Sequence, residues 1–331
     1  MSKPIKLGRR AILAGGTAAA ALALAPGSAF AAGYPERPVT VVVPWGAGGG
    51  TDATGRMIAA RLEKKLGGSF NVVNRTGGSG VVGHSAIANA DPDGYTIGLV
   101  TVEITMMHHV GLTELTAEDY TPLGLMNADS PGVTVSADSE YQDIASLTEA
   151  IKASEPGTFK ASGTGQGGIW HLALIGWLMS EGLAPDHVTW VPSEGAAPAL
   201  QDLVAGGVDL ITVSLAETKS MVDAGRAVNL ALMADERVGS HPDVPTLKEA
   251  GGAFALSTWR GICGPKDMDE AAASAISGAL AEIAEDPEFV EFMNSRGFGI
   301  KYLDPAAHAA MMADTDTVME QALGAAGLTS G

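Results

Sequence analysis

The sequence predicts an α/β fold built from mainly parallel sheets flanked by helices. Three observations carry this. Short β-branched runs alternate with helical patterns. Gly-rich turns join strand ends to helix starts. Hydrophobic residues make up 46% of the 331, enough to cover sheets on both faces. That length suits one large domain or two ordinary ones.

The elements follow in order. Pro38 and Pro44 enclose Val39-Thr40-Val41-Val42-Val43, the pattern of a fully buried strand. Gly-rich residues 46–50 follow, then Thr51-Asp52 as a cap and a helical pattern over 53–66. Phe70-Asn71-Val72-Val73 is the next strand, and a Gly-rich turn to Gly80 opens a helix over 82–90. Asp91-Pro92-Asp93-Gly94 is a turn before a third strand over 95–101. This β-α-β-α-β order implies parallel pairing. The pattern restarts after residue 138. Helices are predicted over 147–154, 169–181 and 196–205, and strands over 159–162, 187–191, 208–213 and 229–233. A strand over 255–263 and helices over 269–284 and 305–323 complete the chain. No short-period repeat is present.

Residues 1–32 read as an export signal. Lys3, Lys6, Arg9 and Arg10 give a basic start, an apolar run follows, and Ala29-Phe30-Ala31 fits a cleavage site. Arg9-Arg10 resembles a twin-arginine signal; an ordinary secretory signal is the alternative. No later stretch reaches the ~18 apolar residues of a membrane-spanning helix. The expected mature protein is therefore periplasmic and soluble. Its single cysteine, Cys263, lies in an apolar run and reads as a buried small hydrophobe.

The formal charge is −18. Removing a signal with four basic and no acidic residues takes it to about −22. Such a surface repels phosphate backbones and anionic membranes, so nucleic-acid binding is not expected. An anion site would have to be built locally.

Two Gly-rich turns can build one. The first is Pro44-Trp45-Gly46-Ala47-Gly48-Gly49-Gly50-Thr51-Asp52. The second is Ser162-Gly163-Thr164-Gly165-Gln166-Gly167-Gly168-Ile169-Trp170-His171. Each leaves a strand and opens a helix, whose first N–H groups and partial positive charge suit a carboxylate or phosphate. Neither turn is a P-loop, because no Gly-Lys-Ser/Thr follows. Gly163-x-Gly165-x-x-Gly168 matches a dinucleotide fingerprint. However, Glu194, the candidate ribose acid, stands 26 residues beyond Gly168 rather than the ~20 counted through the motif. A dinucleotide-dependent enzyme is thus the weaker alternative. No Gly-x-Ser-x-Gly elbow, His-Glu-x-x-His or Cys ligand set occurs. His108-His109 would point ~100° apart on a helix and read as a solvated loop pair. No cofactor or metal is expected, and no enzymatic activity.

A set of motifs runs along the chain. It begins with Tyr34-Pro35-Glu36-Arg37-Pro38 with Val-Val-Val-Pro and Gly-Gly-x-x-Asp52, Asn74-Arg75-x-Gly-Gly with Gly83, and Pro92-Asp93-Gly94-Tyr95-Thr96. It continues through Ser162-x-x-Gly-x-Gly with His171-Leu172-Ala173, Pro198-Ala199, and Gly206-Gly207-Val208-Asp209. Pro242-Asp243-Val244-Pro245-Thr246 and Trp259-x-Gly261 complete it. Through these motifs the chain resembles the solute-binding proteins of tripartite tricarboxylate transporters, the TctC or Bug family, and the match covers nearly all of residues 34–331.

The resemblance implies a two-lobed periplasmic binding protein with its ligand in the interlobe cleft. Residues 33–137 plus 240–331 would form lobe I and 138–239 lobe II. The implied ligand is a small organic carboxylate, di- or tricarboxylate or aromatic. The implied partners are membrane transporter subunits, met transiently by a monomer, with a sensor-type receptor as the alternative. Carried over by position, the ligand-binding residues would be Trp45, Ala47, Gly49, Gly50, Thr51, Asp52, Ser162, Thr164, Gly165, Gln166 and His171. Trp170 would add an aromatic wall. Asp52 reads better as a helix cap than as a direct contact. The chain departs from the family pattern in having Trp45 for Phe, three glycines in the first turn, and Gly168-Ile169 where Gly-Ser is usual. Many relatives also carry an acidic residue near the position of Val213.

Overall fold

The computed structural model describes residues 33–329; the expected export signal lies outside the described residues. The chain first builds β1 (Val39–Val43), α1 (Gly50–Leu66), β2 (Phe70–Asn74), α2 (Val81–Ala88), β3 (Thr96–Thr101) and β4 (Tyr120–Asp129). It then crosses at 130–131 into a second sheet. That region holds β5 (Gly132–Ser136), α3 (Ile144–Ala153), β6 (Lys160–Ser162), α4 (Ile169–Ser180), β7 (Thr189–Val191), α5 (Ala196–Ala205), β8 (Leu210–Ile211), α6 (Leu215–Asp223) and β9 (Ala227–Leu232). The return adds β10 (Thr258–Pro265), α7 (Glu270–Ala284), α8 (Pro287–Arg296), β11 (Ile300–Leu303) and α9 (Pro305–Ala325) to the first sheet. Strand order is β11-β4-β10-β3-β1-β2 in one sheet and β7-β6-β8-β5-β9 in the other. The result is a two-lobed α/β fold. No described helix is long and apolar enough to cross a membrane.

The sheets are mixed rather than mainly parallel. β1 pairs in parallel with β2 and β3, and β6 with β7 and β8. β10 runs antiparallel to both its neighbours, and so does β5. The cause is geometric. The parallel strands end at the cleft, so a chain arriving from the other lobe enters the sheet there and must run the opposite way. β5 and β10 are the two arriving strands.

Local sequence accounts for the elements that position the site. α1 buries Ile58, Ala59 and Leu62 on one stripe, at i and i+4 spacing. They pack with Val39, Val41, Val43 and with Ile276 and Leu280 of α7. Full burial of each large aliphatic chain contributes about 1.5–3 kcal/mol. Lys64 and Lys65 sit in the last turn of α1, favourable to its dipole, and Gly67 ends it at φ 75°. α4 is apolar all round and buried on nearly all sides, Trp177 among the largest fully buried side chains. A third cluster joins Val102 and Met106 of lobe I to Ile169, Trp170 and Leu200 of lobe II, so apolar packing bridges the cleft.

Candidate ligand cleft

Three helices point their N-termini into the cleft: α1 from lobe I, α4 and α5 from lobe II. Their N-cap residues are Gly49, Gly168 and Gly195, and none supplies a side-chain cap. Elsewhere, α3, α7, α8 and α9 are capped by Asp143, Asp269, Asp286 and Asp304. Bare glycine caps leave the first N–H groups of the cleft-facing helices without partners inside their own helices. The two lobes approach closely here. Gly46 N–H donates to Glu194 O at 2.9 Å, and Ser79 Oγ donates to Gln166 O at 2.9 Å. A Cβ on Gly165 would lie 2.4 Å from Ser79 Oγ, so only glycine permits this contact.

The helix starts enclose a cavity lined by Trp45, Gly46, Gly49, Gly50, Thr51, Thr101, Glu103, Thr164, Ile169, Trp170, Ala196, Glu217, Thr258 and Arg260. The space open to the centre of a water molecule is about 20 Å³. That holds a water or two, against the ~10–15 Å³ that one requires. Gly49, Gly50 and Glu217 also border an outer groove of about 320 Å³ that runs past Lys219 and Arg296.

Of the residues expected from sequence, Trp45, Gly49, Gly50, Thr51, Thr164 and Trp170 line the cavity. The structure places the others around it. Ala47 is exposed at the tip of the first turn and Gln166 at the tip of the second. Ser162 Oγ donates to Val191 O at 2.7 Å, tying β6 to β7. Gly165 faces Ser79. His171 Nδ1 accepts Gly167 N–H at 3.1 Å, bracing its own turn, and burial lowers its pKa to about 4.

Asp52 is not the helix cap. The helix begins two residues earlier, and Asp52 lies within its first turn. From there its carboxylate accepts from Gly48 N, Arg56 Nε and Asn74 Nδ2, at 2.9, 3.0 and 2.9 Å. Burial opposes its ionisation, but these hydrogen bonds and Arg56 outweigh that and hold the carboxyl below its ordinary range. Asp52 therefore fixes the first turn from behind.

Both large aromatics are buried. Trp45 Nε1 donates to Thr101 Oγ1 at 3.3 Å. His84 anchors the same network. Its Nδ1 faces Gly80 O at 2.8 Å and its Nε2 accepts Thr101 N–H at 3.2 Å, which sets the proton on Nδ1. Thr101 Oγ1 in turn donates to Glu103 Oε2 at 2.5 Å. A buried strand end thus aims a carboxylate at the cavity.

That carboxylate meets the other lobe. Glu103 Oε1 accepts Ile169 N–H, the start of α4, at 3.3 Å. Reciprocally, Glu217 Oε1 from lobe II accepts Gly50 N–H, the start of α1, at 3.0 Å. Each Gly-rich helix start therefore receives a glutamate from the opposite lobe. Burial pushes the pKa of both glutamates up. Hydrogen bonds, chiefly from Thr101, oppose this at Glu103, and Arg260 opposes it at Glu217. Arg260, 3% exposed, lies between the lobes. Its Nε donates to Thr51 Oγ1 at 3.0 Å, one terminal nitrogen to Asn127 and Asp129 at 2.5 and 2.8 Å, and the other to Glu217 at 3.3 Å.

Outside the cleft, His108 and His109 lie in the turn after β3, their ring centroids 3.9 Å apart. Their Nε2 atoms face Asp316 of α9 at 3.3 and 3.1 Å, a donor set within reach of a single metal ion. Cys263 is fully buried, and burial pushes its thiol pKa up, away from thiolate chemistry.

The family model described as the tripartite tricarboxylate transporter family receptor matches residues 54–328. The chain belongs to this TctC family. A Pseudomonas sp. strain P51 relative, encoded between tcbD and tcbE, is 31% identical over 88% of this chain and 86% of its own. The periplasmic binding protein BugD superposes with a TM-score of 0.84 at 27% identity, covering 90% of this chain and all of its own. An R. palustris protein solved with adipate gives 0.84 at 25% identity, over 89% and 99%. The chain thus has the family and fold of periplasmic solute-binding proteins, which are not enzymes.

Within this TctC-family cleft, sequence reasoning missed Thr101, Glu103, Ala196, Glu217, Thr258 and Arg260, and it quoted Gly46 and Ile169 only as parts of the turns. Two carried a signal. Arg260 is a cation inside an otherwise apolar strand, which requires buried partners. Glu103 lies two residues past the end of β3, a buried strand paired in parallel with β1, where functional groups of α/β sheets gather. Glu217 comes from a helix whose place opposite α1 only the tertiary fold reveals.

Proposed function

We propose that this protein captures a small organic carboxylate outside the cytoplasmic membrane and delivers it to the membrane subunits of a tripartite tricarboxylate-type transporter. The observation that carries the reading is the convergence of three glycine-capped helix N-termini on one cavity. Such termini hold carboxylates through N–H groups and local dipoles, whatever the net charge of the surface. The export-type N-terminus supports a periplasmic site of action. The adipate bound by one relative supports the ligand class. The small cavity is that of closed lobes, so capture requires them to part, with the crossings at 130–131 and 233–257 as hinges. Trp45 and Trp170 would wall the apolar body of the ligand, while Gly49, Gly50, Thr51 and Thr164 face its oxygens. Ala47, Asp52, Ser162, Gly165, Gln166 and His171 would shape the two turns.

Calorimetry and thermal shift across mono-, di-, tri- and aromatic carboxylates test this, each set against its neutral amide. At least one acid should raise the unfolding midpoint and its amide should not. If no acid binds, the reading fails. Transport that depends on the protein in reconstituted membranes tests the partner, against a receptor-docked sensor role.

A further inference from the structure

We propose that the ligand of this cleft is a carboxylate that also carries an ammonium-type cation, a zwitterion rather than a plain di- or tricarboxylate. This rests on the carboxylate reading above and narrows it.

The cavity is short of positive charge. Glu103 and Glu217 both line it, and Asp129 stands directly behind Arg260. Arg260 is the only cationic side chain among the lining residues. Its donors are largely spent on Thr51, Asn127, Asp129 and Glu217. Lys219 and Arg296 border only the outer groove, and Lys219 is paired with Asp223 at 2.9 Å. Buried His171 stays neutral at physiological pH. Three carboxylates therefore share one guanidinium, and Glu103 makes no hydrogen bond with it, receiving instead Thr101 Oγ1, Ile169 N–H and its own backbone N–H. Burial raises the pKa of both cavity glutamates, and the nearby Arg260 offsets this only in part.

Closing the lobes on a dicarboxylate would add two negative charges to this water-poor space. The matched ammonium-bearing diacid adds one net negative charge, and a simple zwitterion adds none. Its ammonium brings three donors to two carboxylates already in place, which frees the helix N–H groups they occupy. Its own carboxylate then finds those N–H groups. It also finds Thr164 Oγ1, a cavity-lining hydroxyl that is 4% exposed and has no hydrogen-bond partner. Thr164 Oγ1 and Glu103 Oε1 both stand beside Gly168, so this unpaired hydroxyl adds a donor next to Ile169 N–H once Glu103 turns to the ammonium.

Matched pairs test the proposal on the mature full chain: succinate with aspartate, glutarate with glutamate, adipate with 2-aminoadipate. Calorimetry should show the ammonium-bearing member binding at least tenfold more tightly in at least one pair. The Glu103→Gln, Glu217→Gln double variant, checked for a native melt, should lose that preference. If plain dicarboxylates bind equally or better, the proposal is overturned and the carboxylate function stands. If no carboxylate of either kind binds, both fall. If the wild-type preference persists in the folded double variant, the glutamates are not its source and the proposal is overturned.

Discussion

Glu217 Oε1 of one lobe accepts the N–H of Gly50, the first residue of α1 in the other, at 3.0 Å. Glu103 Oε1 returns the relationship at Ile169, the start of α4. The protein's own carboxylates thus sit where a ligand carboxylate would be held. They belong to opposite lobes, so each tethers the cleft shut. Capture becomes an exchange in which a ligand must replace or redirect a glutamate at a helix dipole.

Removing one tether should loosen the ligand-free protein. Glu217→Ala deletes the bond to Gly50, a partner of Arg260, and the α6 capping box with Ser214. A loss of about 1–3 kcal/mol is expected for a buried, charge-assisted network of this kind. Calorimetry should show the midpoint several degrees lower. Small-angle scattering without ligand should show a larger radius of gyration. Unchanged values of both would mean that Glu217 does not hold the lobes together.

Gly165 makes a separate test of closure. Its backbone lies against Ser79 so closely that a Cβ would fall 2.4–2.6 Å from three atoms of that residue. Gly165→Val would wedge the lobes apart without entering a lobe core. Ligand affinity should fall at least about tenfold, roughly 1.4 kcal/mol, with a nearly unchanged unfolding midpoint. Wild-type affinity in this variant would show that full closure is not needed for binding.

Much of this was legible in the chain, and the limits have physical causes. Val39–Val43 and the two Gly-rich turns announce themselves because strand burial and glycine turns are local properties. The turn residues Gly49, Gly50, Thr51 and Thr164 follow from them. The start of α1 was misplaced because Thr51-Asp52 looks like a cap, whereas Gly49 is the cap and Asp52 reaches back to Gly48 from inside the helix. The antiparallel strands escaped a reading built on β-α-β order, since only the path between lobes sets the direction of β5 and β10. Glu103 and Glu217 acquire meaning only opposite a helix start more than sixty residues away.

Arg260 should be the costliest polar position to change. Arg260→Met keeps much of the volume but strands Asp129 and Glu217, side chains only 7% and 4% exposed. Uncompensated buried carboxylates cost about 3–5 kcal/mol. Arg260→Lys keeps the charge but cannot reach Thr51, Asn127, Asp129 and Glu217 together, so it should recover only part of the loss. Denaturant melts of the three proteins give the order: wild type, then Lys, then Met. A Met variant within 1 kcal/mol of wild type would show that the cluster adds nothing to the fold.

His308 offers a pH test with a definite sign. It lies on α9, fully buried beneath Gly261 and edge-on to Trp259, with both ring nitrogens lacking partners. Burial lowers its pKa from 6.5 to about 4. The folded state therefore disfavours the charged ring. Its contribution is fully present above pH 6.5, declines as pH falls, and is lost below about 4. Up to about 3 kcal/mol is at stake. His84 and His171, also lowered to about 4, add acid sensitivity of the same sign, while the raised glutamates act in the opposite direction. These groups are common to wild type and variant, so comparison isolates one ring. His308→Leu forfeits no hydrogen bond and should melt closest to wild type near pH 7. Between pH 6.5 and 4 its midpoint should fall less steeply, so the gap widens in its favour as acid is added. Parallel melting curves across that window would mean that the ring is not a buried neutral group that protonates on unfolding.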